Sequence, residues 1–283
     1  SNGDVTLAPT AALTTTGGGV TISAADNVSG VSGNPASAGG SITTTGVTGA
    51  TGTAGGAINV TALNGGIDLG ALTSTGGSST GLNAAGGVGG LMNLTDTNGA
   101  ITIGSAINSA AGRGGTGTAT GAVGGAITIS STGTGAGVTD SSSTTTTGGG
   151  GVGANAGGVG GLVSITSSGA ITMQTGATIS TVGGGSNANT PGVGNGTGVG
   201  GNGGAVTFTG TGAGAITLLG ITTSGGAAPR MVRDLARALG KQIKFEMLGE
   251  HTPVDRDILE RLETPIAHLL RNAVDHGCEP SSV

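Results

Sequence analysis

"GGAINVTALNGGIDLGALTSTGG", residues 55–77, decides how most of this chain is read. Its aliphatic residues alternate with Thr, Ser or Asn, as in Ile58 and Val60 and then Ile67 and Leu69. A period of two sends one set of side chains to a single face of a strand. Thr and Ser suit the opposite face, because small or branched polar side chains pack well on a pleated surface. The Gly-Gly and Asn-Gly pairs between these runs read as turns needing positive φ.

Related stretches follow along the chain: "GGLMNLTDTNGAITIGSAIN", "GGAITISSTGTGAG", "GGLVSITSSGAITMQTGATIS" and "GGAVTFTGTGAGAITLLGITTSGG". Their first strand residues are Ala57, Leu91, Ala126, Leu162 and Ala205, and "GGGVTISAADNVSG" adds an earlier copy at Val20. The copies recur about every 35 residues, a period typical of solenoids. One copy buries too little apolar surface to offset the entropy of ordering its backbone, so the copies must stack. The expectation for residues 1–227 is a mainly β parallel β-helix of about six coils, with two or three short strands per coil. In this reading "SSSTTTTGGGGVGANAGG" (141–158) and "GGGSNANTPGVGNGTGVGGNGG" (183–204) are loops bulging from the stack. An unfolded low-complexity tract is the alternative, and the alternating aliphatics argue against it.

Composition narrows the function. With 66 Gly, no Trp or Tyr, two Phe and 8% charged residues, a globular core with aromatic anchors is excluded. Before Ala228 the only basic residue is Arg113, and the acids are Asp4, Asp26, Asp68, Asp96 and Asp140. No basic run suits nucleic acid. The single Cys278 excludes an internal disulfide framework. No apolar run approaches membrane-spanning length, and no signal peptide is visible. A calcium-binding G-G-x-G-x-D-x-U-x nonapeptide is absent, so the scattered aspartates are expected to be solvated turn residues. This repeat style resembles the Gly- and Thr-rich β-strand repeats of bacterial surface or secreted proteins of the filamentous-haemagglutinin and adhesin kind. The resemblance implies an extended stalk or binding surface with an unknown surface ligand, exposed outside the cell, and no chemistry.

From Pro229 the pattern changes. "PRMVRDLARALG" sets Met231, Leu235 and Leu239 four residues apart, an amphipathic helix stopped by Gly240. "KQIKFEML" alternates Ile243, Phe245 and Met247 with Lys244 and Glu246, a half-buried strand. "GEHTPVDRDILERL" reads as a turn into a second helix, and "IAHLLRNAVDHG" as a third, closing at Gly277. Residues 228–283 are thus expected to be a small truncated α+β tail of helix, strand, helix, helix. On the third helix His268, Asn272 and Asp275 or His276 share a face, while Leu269, Leu270 and Ala273 are free to pack on a sheet. An amide oxygen at Asn272 suits Mg²⁺ bridging nucleotide phosphates, and imidazoles can donate to phosphate oxygens. A His beside a helix-ending Gly is also favoured simply by the helix dipole.

The run 229–280 resembles the start of the ATP-binding domain of the CheA-type chemotaxis histidine kinases, and "HLLRNAVDHG" resembles their N box. The resemblance implies Mg-ATP as cofactor. It makes Asn272 the metal ligand and places His268, Asp275 and His276 at the nucleotide. It further implies a cytoplasmic setting with a chemotaxis receptor, a coupling protein and a response regulator as partners. Cys278 stands where that family usually has an aliphatic residue, and no Asp-x-Gly-x-Gly stretch follows the motif. The combined expectation is a structural or adhesive solenoid joined to an incomplete kinase segment, chimeric and catalytically inactive, with no catalytic residue. The alternative is a fragment of a sensor histidine kinase with a repeat-built N-terminal region.

Overall fold

The computed structural model describes residues 3–30, 38–116, 118–152, 155–185 and 200–225. All of them lie in the first of two units, Ser1–Ala227. The expected α+β tail falls outside the described residues.

Twenty short strands among the described residues wind in one repeating order through three parallel sheets. Sheet A contains β1 (Val5–Thr6), β4 (Val28–Ser29), β7 (Ile67–Asp68), β10 (Ile101–Ile103), β13 (Val138–Asp140), β16 (Ile171–Met173) and β19 (Ile216–Thr217). Sheet B contains β2 (Ala12–Thr16), β5 (Ser41–Thr45), β8 (Leu72–Thr73), β11 (Ile107–Asn108), β14 (Ser143–Thr147), β17 (Thr178–Val182) and β20 (Ile221–Ser224). Sheet C contains β3 (Val20–Ala24), β6 (Ile58–Ala62), β9 (Met92–Asp96), β12 (Ile127–Ser131), β15 (Val163–Ser167) and β18 (Val206–Gly210). After a leading pair, β1 and β2, each coil runs from sheet C to A to B. Six such coils make the parallel β-helix that the repeats predict.

Stacking answers both demands that a lone coil leaves open. Backbone groups of each strand pair with the coils above and below, as Ile58 with Met92, Met92 with Ile127 and Ile127 with Val163 in sheet C. Those four side chains form one interior row, fully buried, and Ile67, Ile101, Val138 and Ile171 form another in sheet A. Polar residues take the outward positions of the same strands, so each coil adds one layer to a continuous aliphatic core.

Glycine pairs have a different role from the one expected. Positive φ is confined to Gly17, Gly135, Gly176, Gly220 and Asn83 among the described residues, and the pairs before the sheet C strands are not on that list. Close approach explains them instead. A Cβ on Gly56 would land on the Gly18 carbonyl, one on Gly90 would clash with Gly56, and the series continues through Gly125, Gly161 and Gly204. Each carbonyl left bare by this contact is a ready acceptor. Buried hydroxyls donate to it, Thr44 to Gly56 at 2.7 Å, Ser109 to Gly90 at 2.6 Å, Thr146 to Gly161 at 2.8 Å and Thr181 to Gly204 at 2.6 Å.

Two sequence expectations are corrected here. Residues 143–147 are not loop but strand β14, and Gly148, Gly149, Gly157, Gly158, Gly183, Gly184 and Gly201 are buried. Outgoing and returning glycine arms interleave beside the coils and bond one another. Gly158 N–H donates to Gly149 O at 2.8 Å, Gly184 to Gly158 at 2.7 Å and Gly201 to Gly184 at 2.8 Å. They form a flange of backbone packed on backbone. The sheet C strands also begin one residue later than expected, at Ile58, Met92, Ile127, Val163 and Val206. Leu91 and Leu162 precede their strands and point outward, 55% and 41% exposed.

Candidate functional site

The residues that the sequence singles out for nucleotide and metal, His268, Asn272, Asp275 and His276, lie outside the described residues. What the structure does place are the polar groups of the solenoid. At the turn from sheet C to sheet A an open groove of about 460 Å³ is lined by Asp26, Asn27, Asn64, Gly65, Gly66, Gly99, Ala100 and Thr102. Its amides are engaged in holding coil to coil. Asn27 Nδ2 donates to Asp4 Oδ1 at 2.9 Å, while Asn27 Oδ1 accepts from Gly66 N–H at 2.8 Å. Asn64 Nδ2 donates to Ala25 O at 3.0 Å, and its Oδ1 accepts from Asn98 Nδ2 at 3.1 Å. The groove is therefore an asparagine ladder first, with the Asp26 carboxyl and the Thr102 hydroxyl as its remaining polar side chains.

The outward face of sheet C is a second polar array. One row reads Thr21, Asn59, Asn93, Thr128, Ser164 and Thr207 in register. Asn93 Nδ2 donates to Asn59 Oδ1 at 2.8 Å along it. This row is uncharged and offers hydroxyls and amides to a partner.

Three of the five aspartates before Ala228 contradict the sequence expectation. Asp68, Asp96 and Asp140 are buried, not solvated, at 4%, 0% and 1% exposure. They were missed because Asp in a stretch punctuated by Gly, Asn and Ser normally marks an exposed turn. Asp96 explains itself: inside the corner after β9, its Oδ1 accepts the backbone N–H groups of Asn98 at 2.9 Å and Gly99 at 2.5 Å. Burial raises its pKa, and those two bonds oppose the rise. Burial likewise raises Asp68. Asp140 is pushed up to about 6 by burial, against the lowering influence of the Ser142 N–H and the Thr144 hydroxyl. Its register partners are Ile103 and Met173, so it occupies an interior row. The three acids do not converge, since Asp68 pairs with Thr102 and Asp140 with Ile103. Among the described residues no three His, Cys, Asp or Glu side chains gather as metal ligands. No helix among them is long and apolar enough to cross a membrane.

Comparison with known proteins locates a likeness in one short part of the chain. It is 52% identical over 52 residues to the sensor histidine kinase CheAY of Helicobacter pylori, 18% of this chain and 6% of that protein. Identity to the chemotaxis protein CheA of Salmonella typhimurium is 49% over 51 residues, 18% of this chain and 8% of the relative. The CheA of Halobacterium salinarum is 52% identical over 58 residues, 20% and 9% of the two chains. A CheA-related segment is thus present, and it spans less than a tenth of each of these relatives. The sequence run 229–280 has the length of the first match. No protein-family description matches the chain, and no solved structure matches it.

Proposed function

We propose that residues 1–227 serve as a structural and adhesive surface, and that the CheA-related segment is an inherited piece of a nucleotide site with no activity of its own. The observation that carries the first half is the pairing of a continuous aliphatic core with outward rows of Ser, Thr and Asn. Such a wall displays uncharged hydrogen-bonding groups at fixed spacing along a rigid support. It suits a scaffold for contact better than a cleft for catalysis, and export to a cell surface goes with that use. An adhesin-like role predicts that the purified full chain is retained on some extracellular glycan or matrix surface. Failure on a broad panel of both would remove that half.

Support for the second half is the extent of the likeness, 6–9% of each relative named above. In this reading the run 229–280 carries an N box. Asn272 is its Mg²⁺ ligand by descent, His268 and His276 line its phosphate site, and Asp275 belongs to the same nucleotide-binding set. These 283 residues are then a chimera that neither binds Mg-ATP nor transfers phosphate. Titration calorimetry with Mg-ATP is expected to give no heat of binding. Micromolar Mg²⁺-dependent binding that disappears in Asn272→Ala would reverse this half.

Identity near 50% to CheA proteins favours a second reading, a piece of a chemotaxis-type sensor kinase with a repeat-built N-terminal region. It would bring receptor, coupling protein and response regulator as partners in the cytoplasm. Incorporation of labelled phosphate from Mg-ATP into a histidine would select it.

A further inference from the structure

Coil four, β12 to β14, differs from the coils stacked on it at one corner. Where the chain turns from sheet A to sheet B, coil two presents Leu69 and Leu72 to the core, coil three Ile103 and Ile107, and coil five Met173 and Ile179. Coil four presents Asp140 and Thr144 at the equivalent positions. Asp140 is 1% exposed and Thr144 0%. Asp140 Oδ1 accepts the Ser142 N–H at 3.1 Å. Its Oδ2 and the Thr144 Oγ1 are both buried without a hydrogen-bond partner. The Thr144 hydroxyl acts on this carboxyl in the direction that favours its ionised form.

Among the described residues no charged group acts on Asp140. The strands packed around this corner are β10, β16, β14, β12, β15, β11 and β17, and Asp140's own β13 is the one that carries a titratable side chain. Arg113, the single basic residue among the described ones, sits in the connection from β11 to β12. An ionised carboxylate among Ile103, Met173 and Ile107 would be desolvated with one oxygen unbonded, an arrangement that is strongly unfavourable. A neutral carboxyl avoids that cost, and the Thr144 hydroxyl, which favours the ionised form, offsets the burial only in part.

We propose that coil four is an acid-tightened seam: protonated, the Asp140 carboxyl sits neutral in its aliphatic row, and loss of the proton puts an uncompensated charge there and loosens β13 and β14 from the coils on either side. Chemistry balances without any other reactant, since the proton comes from and returns to solvent. The sign follows from linkage. Because the folded carboxyl holds its proton to about pH 6 and an unfolded Asp only to about 3.9, the seam is tightest below about pH 4. It weakens as pH rises to about 6 and stays weak above. This runs opposite to ordinary acid denaturation.

Hydrogen exchange followed by mass spectrometry on the full chain reads the seam directly, using peptides covering 138–147 and, as internal reference, 163–173. After correction for intrinsic exchange, opening of 138–147 is expected to increase about 50-fold between pH 4 and pH 7, as a folded value about two units above the unfolded one requires. The reference peptide should change far less. Asp140→Asn keeps the shape and removes the titration, and should abolish the difference between the two peptides. Thr144→Val removes a hydroxyl that favours the ionised carboxyl, and should move the midpoint of the transition above pH 6. A flat wild-type profile, an unchanged profile in Asp140→Asn, or an unmoved midpoint in Thr144→Val would each overturn the proposal.

Discussion

The sheet-walled core and the glycine flange hold the same coils together by opposite means. In the core, neighbouring strands carry Ile, Val, Leu and Met inward, and stability comes from filling space with side chains. In the flange, arms such as Gly149, Gly158 and Gly184 have no side chains at all, and their backbones approach so closely that a Cβ on one would meet the carbonyl of the next. Both satisfy the backbone through coil-to-coil hydrogen bonds. The difference teaches that a solenoid tolerates two kinds of packing, one broken by removing atoms and the other by adding them.

Substitutions that invert the volume change put this contrast to the test. Ile165→Ala empties a fully buried site between Ile129 and Phe208 and should cost about 2–5 kcal/mol, seen as a lower urea midpoint of the β signal. Gly184→Ala adds one carbon where only backbone is in contact, so nothing flexible can yield. A loss of about 1–3 kcal/mol is expected in the same measurement. If that variant were neutral, the flange would not be packed as described. Thr128→Ala, on the outward face of sheet C, touches neither kind of packing and should stay within about 0.5 kcal/mol of the parent. A large effect there would mean that the polar face contributes to the fold as well as to contact.

Stretches with alternating aliphatics were legible in the sequence, and stretches without them were not. Strands β6, β9, β12 and β15 announce themselves through pairs such as Ile58 and Val60, whose period matches the pleat. Strand β14 escaped because its inward residues are Thr144 and Thr146, which carry no apolar signal. The leading pair β1 and β2 lies before the first recognised copy at Val20, where much of each strand is exposed. Buried aspartates escaped for a related reason: local sequence shows the turn beside Asp96 but not the layer that covers it. For the candidate nucleotide site, wording alone carried the reading. The CheA likeness was legible at 229–280, and the arrangement of His268, Asn272, Asp275 and His276 falls outside the described residues.

By itself the sequence determined the repeat, its period and its inward face, because these depend only on which residues alternate along one strand. Tertiary structure decided which glycines are spacers and which are turns. It also decided that Thr144, Thr146 and Asp140 belong inside. Those outcomes depend on what the coil above and the coil below bring to the same position, and residues about 35 apart in the chain meet there only after stacking.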